Sequence, residues 1–167
     1  AMTRWRLLLG SVLIAAVVAA AWMWWVAAHP FRQTHRVSSP EVQLTNGAQY
    51  TLVSLTTSDL LVDRLGVTKP ATDGTVYVVA TLNYDASPIT DLGYSCSITL
   101  WAGQSQWDPE YFYSPPEPQQ SRCDPGSRGQ VVAAFEVPRR YLNQVDGVGL
   151  NDPGAEVFNV VIEGRPR

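Results

Sequence analysis

Thr75-Val76-Tyr77-Val78-Val79-Ala80-Thr81-Leu82-Asn83-Tyr84 decides the fold class, because Val76, Val78, Ala80, Leu82 and Tyr84 fall on alternate positions. A period of two is the geometry of an extended strand, whose successive side chains point to opposite sides. The same alternation recurs on both sides of this stretch. Val42-Gln43-Leu44 and Tyr50 to Leu55 flank Asn46-Gly47, a dipeptide that favours a hairpin turn. Further on, Tyr94, Cys96, Ile98 and Leu100 alternate with Ser95, Ser97 and Thr99. Val131, Ala133, Phe135 and Val137 make another apolar row that stops at Pro138, and Val148 to Leu150 and Val157 to Ile162 supply the last two. Lys69-Pro70, Asp73-Gly74, Ser87-Pro88, Asp124-Pro125-Gly126 and Asp152-Pro153-Gly154 read as breaks between strands. Seven or so short strands in a domain of this length predict an all-β, antiparallel sandwich over residues 41–165. Ser58 to Leu65 fits either a helical turn or an edge strand.

Ahead of the strands the composition changes. Residues 7–28 contain no Asp, Glu, Lys or Arg over 22 positions, and roughly 20 apolar residues cross a bilayer as a helix. This predicts a single transmembrane helix over 7–28, with 1–6 as a cytoplasmic amino terminus and 29–40 as a juxtamembrane linker. Trp5 at one end and Trp22, Trp24 and Trp25 at the other match the aromatic belts of membrane helices, where an indole sits at headgroup level. A cleaved secretory signal is the alternative, but its apolar core is usually about 7–15 residues. Ala15 and Ala19, and Ala16 and Ala20, are spaced by four, as in close helix packing and as in many membrane helices without a partner. Arg4 and Arg6 are matched across the segment by Arg32 and Arg36, which can meet headgroups or serve as ordinary flanking charge.

Residues 37–167 carry eight basic and fifteen acidic residues, a net charge of −7. Phosphate binding needs a basic face, so nucleic acid is excluded as a partner. The expected partners are the lipid bilayer and a membrane or cell-envelope protein complex. Cys96 and Cys123 are the only cysteines; an even pair favours a disulfide if the domain is outside the cytosol, and two buried thiols if it is not. We read the domain as extracytoplasmic and the amino terminus as cytoplasmic.

Two blocks carry a resemblance. One is the Asn-Gly hairpin ending in Tyr50-Thr51-Leu52-Val53-Ser54, followed by Gly74-Thr75-Val76-Tyr77-Val78-Val79-Ala80. The other is Asp124-Pro125-Gly126 leading into Gly129-Gln130-Val131-Val132-Ala133-Ala134-Phe135-Glu136-Val137-Pro138. With the apolar segment in front, the chain resembles the immunoglobulin-like extracytoplasmic domains of unknown function that Gram-positive bacteria, actinobacteria especially, attach to membrane anchors. The resemblance implies an immunoglobulin-like β-sandwich outside the membrane and transfers no catalytic residue. The Trp-, Tyr- and Pro-rich insertion and the two cysteines depart from its usual pattern.

The catalytic inventory is thin. His29 and His35, the only histidines, both fall in the expected linker, which leaves the domain without a histidine base for a Ser or Cys nucleophile. The carboxylate pairs Asp59 with Asp63 and Asp108 with Glu110 lack the spacing of a calcium loop, and no Cys/His cluster suits zinc. No catalytic, cofactor or metal residues are therefore assigned, and the chain is read as a non-enzyme. One segment stands apart: Trp107-Asp108-Pro109-Glu110-Tyr111-Phe112-Tyr113-Ser114-Pro115-Pro116-Glu117-Pro118, preceded by Trp101. Recognition surfaces favour such residues because rigid rings give large contact area at low entropic cost. Trp107, Tyr111, Phe112, Tyr113, Pro115 and Pro116 are the candidate partner-binding residues. The competing reading is a lid of aromatics folded back on the sandwich edge. The functional expectation is an accessory subunit whose sandwich binds a protein partner; the alternative is a module for lipid or cell-wall glycan.

Overall fold

The computed structural model describes residues 14–25, 34–91, 93–111, 113–152 and 159–167, and divides into two compact units, 1–33 and 34–167. In the first unit residues 14–25 are helical, and Ile14, Val17, Val18, Trp22, Met23 and Trp24 are all exposed. Trp22 and Trp25 meet ring to ring at 5.7 Å. Among the described residues no helix is long and apolar enough to cross a membrane. The remainder of the segment expected to cross, 7–13 and 26–28, and Trp5 lie outside the described residues.

The second unit is a β-sandwich. Its strands are β1 (Thr34–Val37), β2 (Glu41–Gln43), β3 (Gln49–Ser58), β4 (Leu60–Val62), β5 (Thr68–Pro70), β6 (Thr75–Asp85), β7 (Ile98–Ala102), β8 (Ser105–Trp107), β9 (Arg128–Pro138), β10 (Val145–Asn151) and β11 (Asn159–Glu163). One sheet has the order β1-β11-β10-β7-β8, the other β2-β3-β6-β9, and β4 and β5 form a small hairpin of their own. All pairings are antiparallel except β1 with β11, which run parallel from Thr34 opposite Asn159 to Val37 opposite Ile162.

The alternating rows meet between the sheets. Val78, Ala80, Leu82 and Tyr84 of β6 and Val131, Ala133, Phe135 and Val137 of β9 pack against Ile98, Leu100, Val148, Leu150, Val160 and Ile162 in one core. Tyr94 and Cys96, read as strand residues, precede β7 and pack on the core from outside the sheet. Turn chemistry follows the sequence at Gly47 (φ 91°), Gly74 (φ 82°) and Gly126 (φ 70°), where the left-handed backbone favours glycine.

Several expectations change. Thr34–Val37, placed in the linker, are strand β1, so His35 belongs to the sandwich; His29 and Arg32 lie outside the described residues. Arg36 is not a free flanking charge: it pairs with Asp146 at 2.8 Å and donates to the Gly103 carbonyl at 3.2 Å, tying β1 to β10 and to the β7–β8 turn. Lys69 and Pro70 lie within β5 and do not break the chain, because proline at the end of a short edge strand withholds no ladder hydrogen bond. Ser58 to Leu65, left open between a helical turn and an edge strand, holds the end of β3, strand β4 and a turn at Arg64 and Leu65, with Leu60 opposite Pro70 and Val62 opposite Thr68. Trp101 also leaves the aromatic segment. Its indole crosses the outer face of β10 at Gly149, where a Cβ would stand 2.2 Å from Nε1, and donates to Thr99 Oγ1 at 2.9 Å.

Candidate interaction surface

β6 and β9 are apolar on both faces, so the outer side of their sheet also has to be covered. Tyr77 is fully buried there, Val132 and Ala134 nearly so. The cover comes from two elements. Leu61 of the β4–β5 hairpin, with Ala71 and Tyr113, packs against Tyr77, Val79 and Ala134. The segment 108–121 runs along the edge of β9 and satisfies its backbone: Glu110 N–H donates to the Ala134 carbonyl (2.8 Å), Gln120 N–H to the Gln130 carbonyl (2.9 Å), and Val132 N–H to the Gln120 carbonyl (2.8 Å). An edge strand is thus closed without a partner chain. Side chains repeat the attachment, with Tyr84 Oη and Gln120 Oε1 2.9 Å apart and Gln119 Nε2 donating to Gln130 Oε1 at 3.0 Å. The far end is fastened by the Cys96–Cys123 disulfide, Cα to Cα 5.5 Å.

The hairpin is held as firmly. Asp63 Oδ1 accepts from the N–H groups of Leu65 and Val67, each at 2.8 Å, and Gly66 takes φ 78°. Arg64 N–H donates to the Ser114 carbonyl at 2.8 Å, and the Arg64 side chain pairs with Glu117. Lys69 Nζ lies 2.7 Å from Glu110 Oε2 and 5.9 Å from the centre of the Tyr77 ring. Hydrogen bonding to Glu110 raises the Lys69 pKa. Two apolar side chains remain in solvent at the turn, Leu65 at 85% and Val67 at 60% exposure, and Tyr111 stands out at 91%.

The candidate residues therefore divide. Trp107 is half-buried in β8, packed on the core and against the Tyr141 ring at 5.5 Å, which makes it part of the fold and not of an exposed loop. Tyr113 and Pro115 belong to the cover: burial raises the Tyr113 phenol's pKa, and Pro115 is buried. Tyr111 and Pro116 are exposed, and Phe112 lies outside the described residues. Of the candidates, Trp107 and Tyr113 are half-buried, Pro115 is buried, and Tyr111 and Pro116 are exposed. Leu65 and Val67 were missed. The available signal was the unbroken apolar run of Val76 to Ala80 and of Val131 to Phe135, the mark of a strand buried on both faces.

Three of the four candidate carboxylates have structural partners. Asp59 pairs with Arg139, Asp63 caps the hairpin turn and Glu110 holds Lys69. Among the described residues no three His, Cys, Asp or Glu side chains converge to hold a metal ion. Glu136, at the foot of the hairpin, accepts from Thr72 N–H at 2.7 Å and Thr75 Oγ1 at 2.6 Å. These hydrogen bonds, those from Thr72 first, lower its pKa from 4.5 to about 2. A depressed carboxylate stabilises the fold fully above its unfolded pKa, and that contribution is lost as pH falls through the folded value. The melting-temperature gap between wild type and Glu136→Gln is therefore expected to narrow between pH 4.5 and about 2. Solvent screening keeps the gap small, and a constant gap across that window overturns the assignment.

No protein-family profile and no curated protein sequence matches the chain. Among solved structures, it is similar to an uncharacterized β-sandwich protein from Clostridium difficile 630, at 10% identity over 82% of this chain and 98% of the other, with a TM-score of 0.49. It is also similar to a conserved hypothetical protein from Bacillus anthracis, at 9% identity over 70% and 87% of the two chains, with a TM-score of 0.49.

Proposed function

We propose that this chain is a non-enzymatic, single-pass membrane protein with a cytoplasmic amino terminus. Its immunoglobulin-like sandwich lies outside the membrane and binds a protein partner as an accessory subunit of a cell-envelope complex. The observation that carries the reading is the exposure of Leu65, Val67 and Tyr111 on two elements whose backbones are pinned to the sheet and to each other. Interface energy concentrates in such anchors, and a pinned scaffold loses little entropy on docking. Support for the anchor comes from the uncharged run over 7–28 and from the helix at 14–25, which has no polar side chain on any face. Support for the immunoglobulin-like class comes from the chain path. The chain crosses between sheets from β6 to β7, back from β8 to β9, and again from β9 to β10, with β6 paired to β9 and β7 to β10.

Purification of the full chain in mild detergent tests this. A stoichiometric protein partner is expected, and Tyr111→Ala is expected to weaken it by about 2 kcal/mol, roughly thirtyfold in Kd, with the melting temperature nearly unchanged. Tyr113→Ala behaves differently: it uncovers the sheet and lowers domain stability by roughly 1–2 kcal/mol. A solitary chain carrying lipid or glycan sends the surface to the ligand-binding alternative, and equal destabilisation by both variants returns Tyr111 to the cover.

A further inference from the structure

We propose that the cleft between the β4–β5 hairpin and the 108–121 segment receives an arginine or lysine side chain of the protein partner; this rests on the partner-binding reading above and gives that partner a chemistry. The cleft has a volume of about 330 Å³ and is lined by Leu61, Val67, Tyr113 and the charged side chains of Asp63, Lys69 and Glu110. Its charges do not cancel. Lys69 is committed to Glu110 at 2.7 Å, and Arg64, the hairpin's other cation, is committed to Glu117. Asp63 takes only the backbone N–H groups of Leu65 and Val67 on Oδ1, and among the described residues no cation pairs with it. The lining thus carries one net negative charge beside apolar surface.

That combination suits a long side chain with an aliphatic stem and a cationic head. The stem lies against Leu61, Val67 and Tyr113 while the head meets carboxylate oxygen. A carboxylate or phosphate entering the same cleft would meet Asp63 and Glu110, with Lys69 already neutralised. A neutral apolar side chain would leave Asp63 desolvated with no cation beside it. Long-range charge agrees, because the net −7 of residues 37–167 draws a basic surface toward the domain and repels an acidic one.

The experiment uses the full chain in nanodiscs, with backbone amide shifts read during titration by the peptide acetyl-Leu-Arg-Leu-amide. Its counterpart carries citrulline in place of arginine, which has nearly the same shape and no charge. The arginine peptide is expected to give saturable shifts at Val67, Thr68, Lys69, Glu110 and Tyr113, and the citrulline peptide to bind about tenfold more weakly. Asp63→Asn and Glu110→Gln are each expected to weaken the arginine peptide about fivefold. Both keep an acceptor oxygen, for the Leu65 and Val67 N–H groups in one case and for Lys69 in the other, so the hairpin stays folded. Equal affinity for the two peptides, insensitivity to both substitutions, or no saturable shift in the cleft at about 10 mM peptide overturns the proposal. Loss of the native partner on Tyr111→Ala but not on Asp63→Asn removes the cation pocket and leaves partner binding standing. Absence of any protein partner in detergent removes partner binding itself.

Discussion

Replacing both Cys96 and Cys123 by alanine is expected to lower the stability of the sandwich by about 3–4 kcal/mol, from the loop-closure entropy that the bond removes from the unfolded chain. The bond closes a sequence separation of 27 residues that includes β7, β8 and the whole 108–121 cover. In the folded state this stretch is already held at β10, β9 and the hairpin, so most of the effect falls on the unfolded ensemble. Denaturant midpoints check it: wild type in reductant should fall to the value of the double variant, and the variant should not respond to reductant. A shift below about 1 kcal/mol would mean that the chain-entropy account fails here. The same variant bears on function. If the proposed partner binding holds, loss of Cys123, which ties down the end of the cover, should reduce partner recovery at temperatures where the domain remains folded.

Phe135→Ala is expected to be at least as severe, at about 3–5 kcal/mol, because it deletes a fully buried ring and leaves a cavity that neighbours only partly fill. Phe135 is in the middle of the inward row of β9, paired across the sheet with Val78, and has no exposed surface. A domain of this size is usually stable by about 5–15 kcal/mol, so a single truncation takes a large share. The melting temperature should drop by roughly 10–20 °C. Val53→Ala is the matched control. Val53 sits at the bulge of β3 with half its surface in solvent, and a change within about 0.5 kcal/mol is expected there. Comparable losses at the two positions would show that the inward row does not carry the core.

The sequence by itself determined the sandwich, its inward rows and its glycine turns, while it left the two cysteines as either a disulfide or buried thiols until the structure joined them. The first three are written locally, as a period of two or as a residue that tolerates positive φ. Val131, Ala133, Phe135 and Val137 had to face one way together, whatever they met. Tertiary structure alone decided what lies on the other side of the sheet. Strand β1 exists because Thr34–Val37 pair with residues 125 positions later, and nothing in their composition announces it. Tyr111 and Tyr113 are two residues apart and chemically alike, yet one is exposed and the other covers Tyr77. Their fates were set by where Glu110 and Ser114 find hydrogen-bond partners, on β9 and on the hairpin at Arg64. The exposed tip at Leu65 and Val67 has the same origin, because the Asp63 cap turns those side chains outward while Leu61 is drawn in. Contacts between residues far apart in the chain have no period to read. The exposed surface at Leu65, Val67 and Tyr111 is made almost entirely of them.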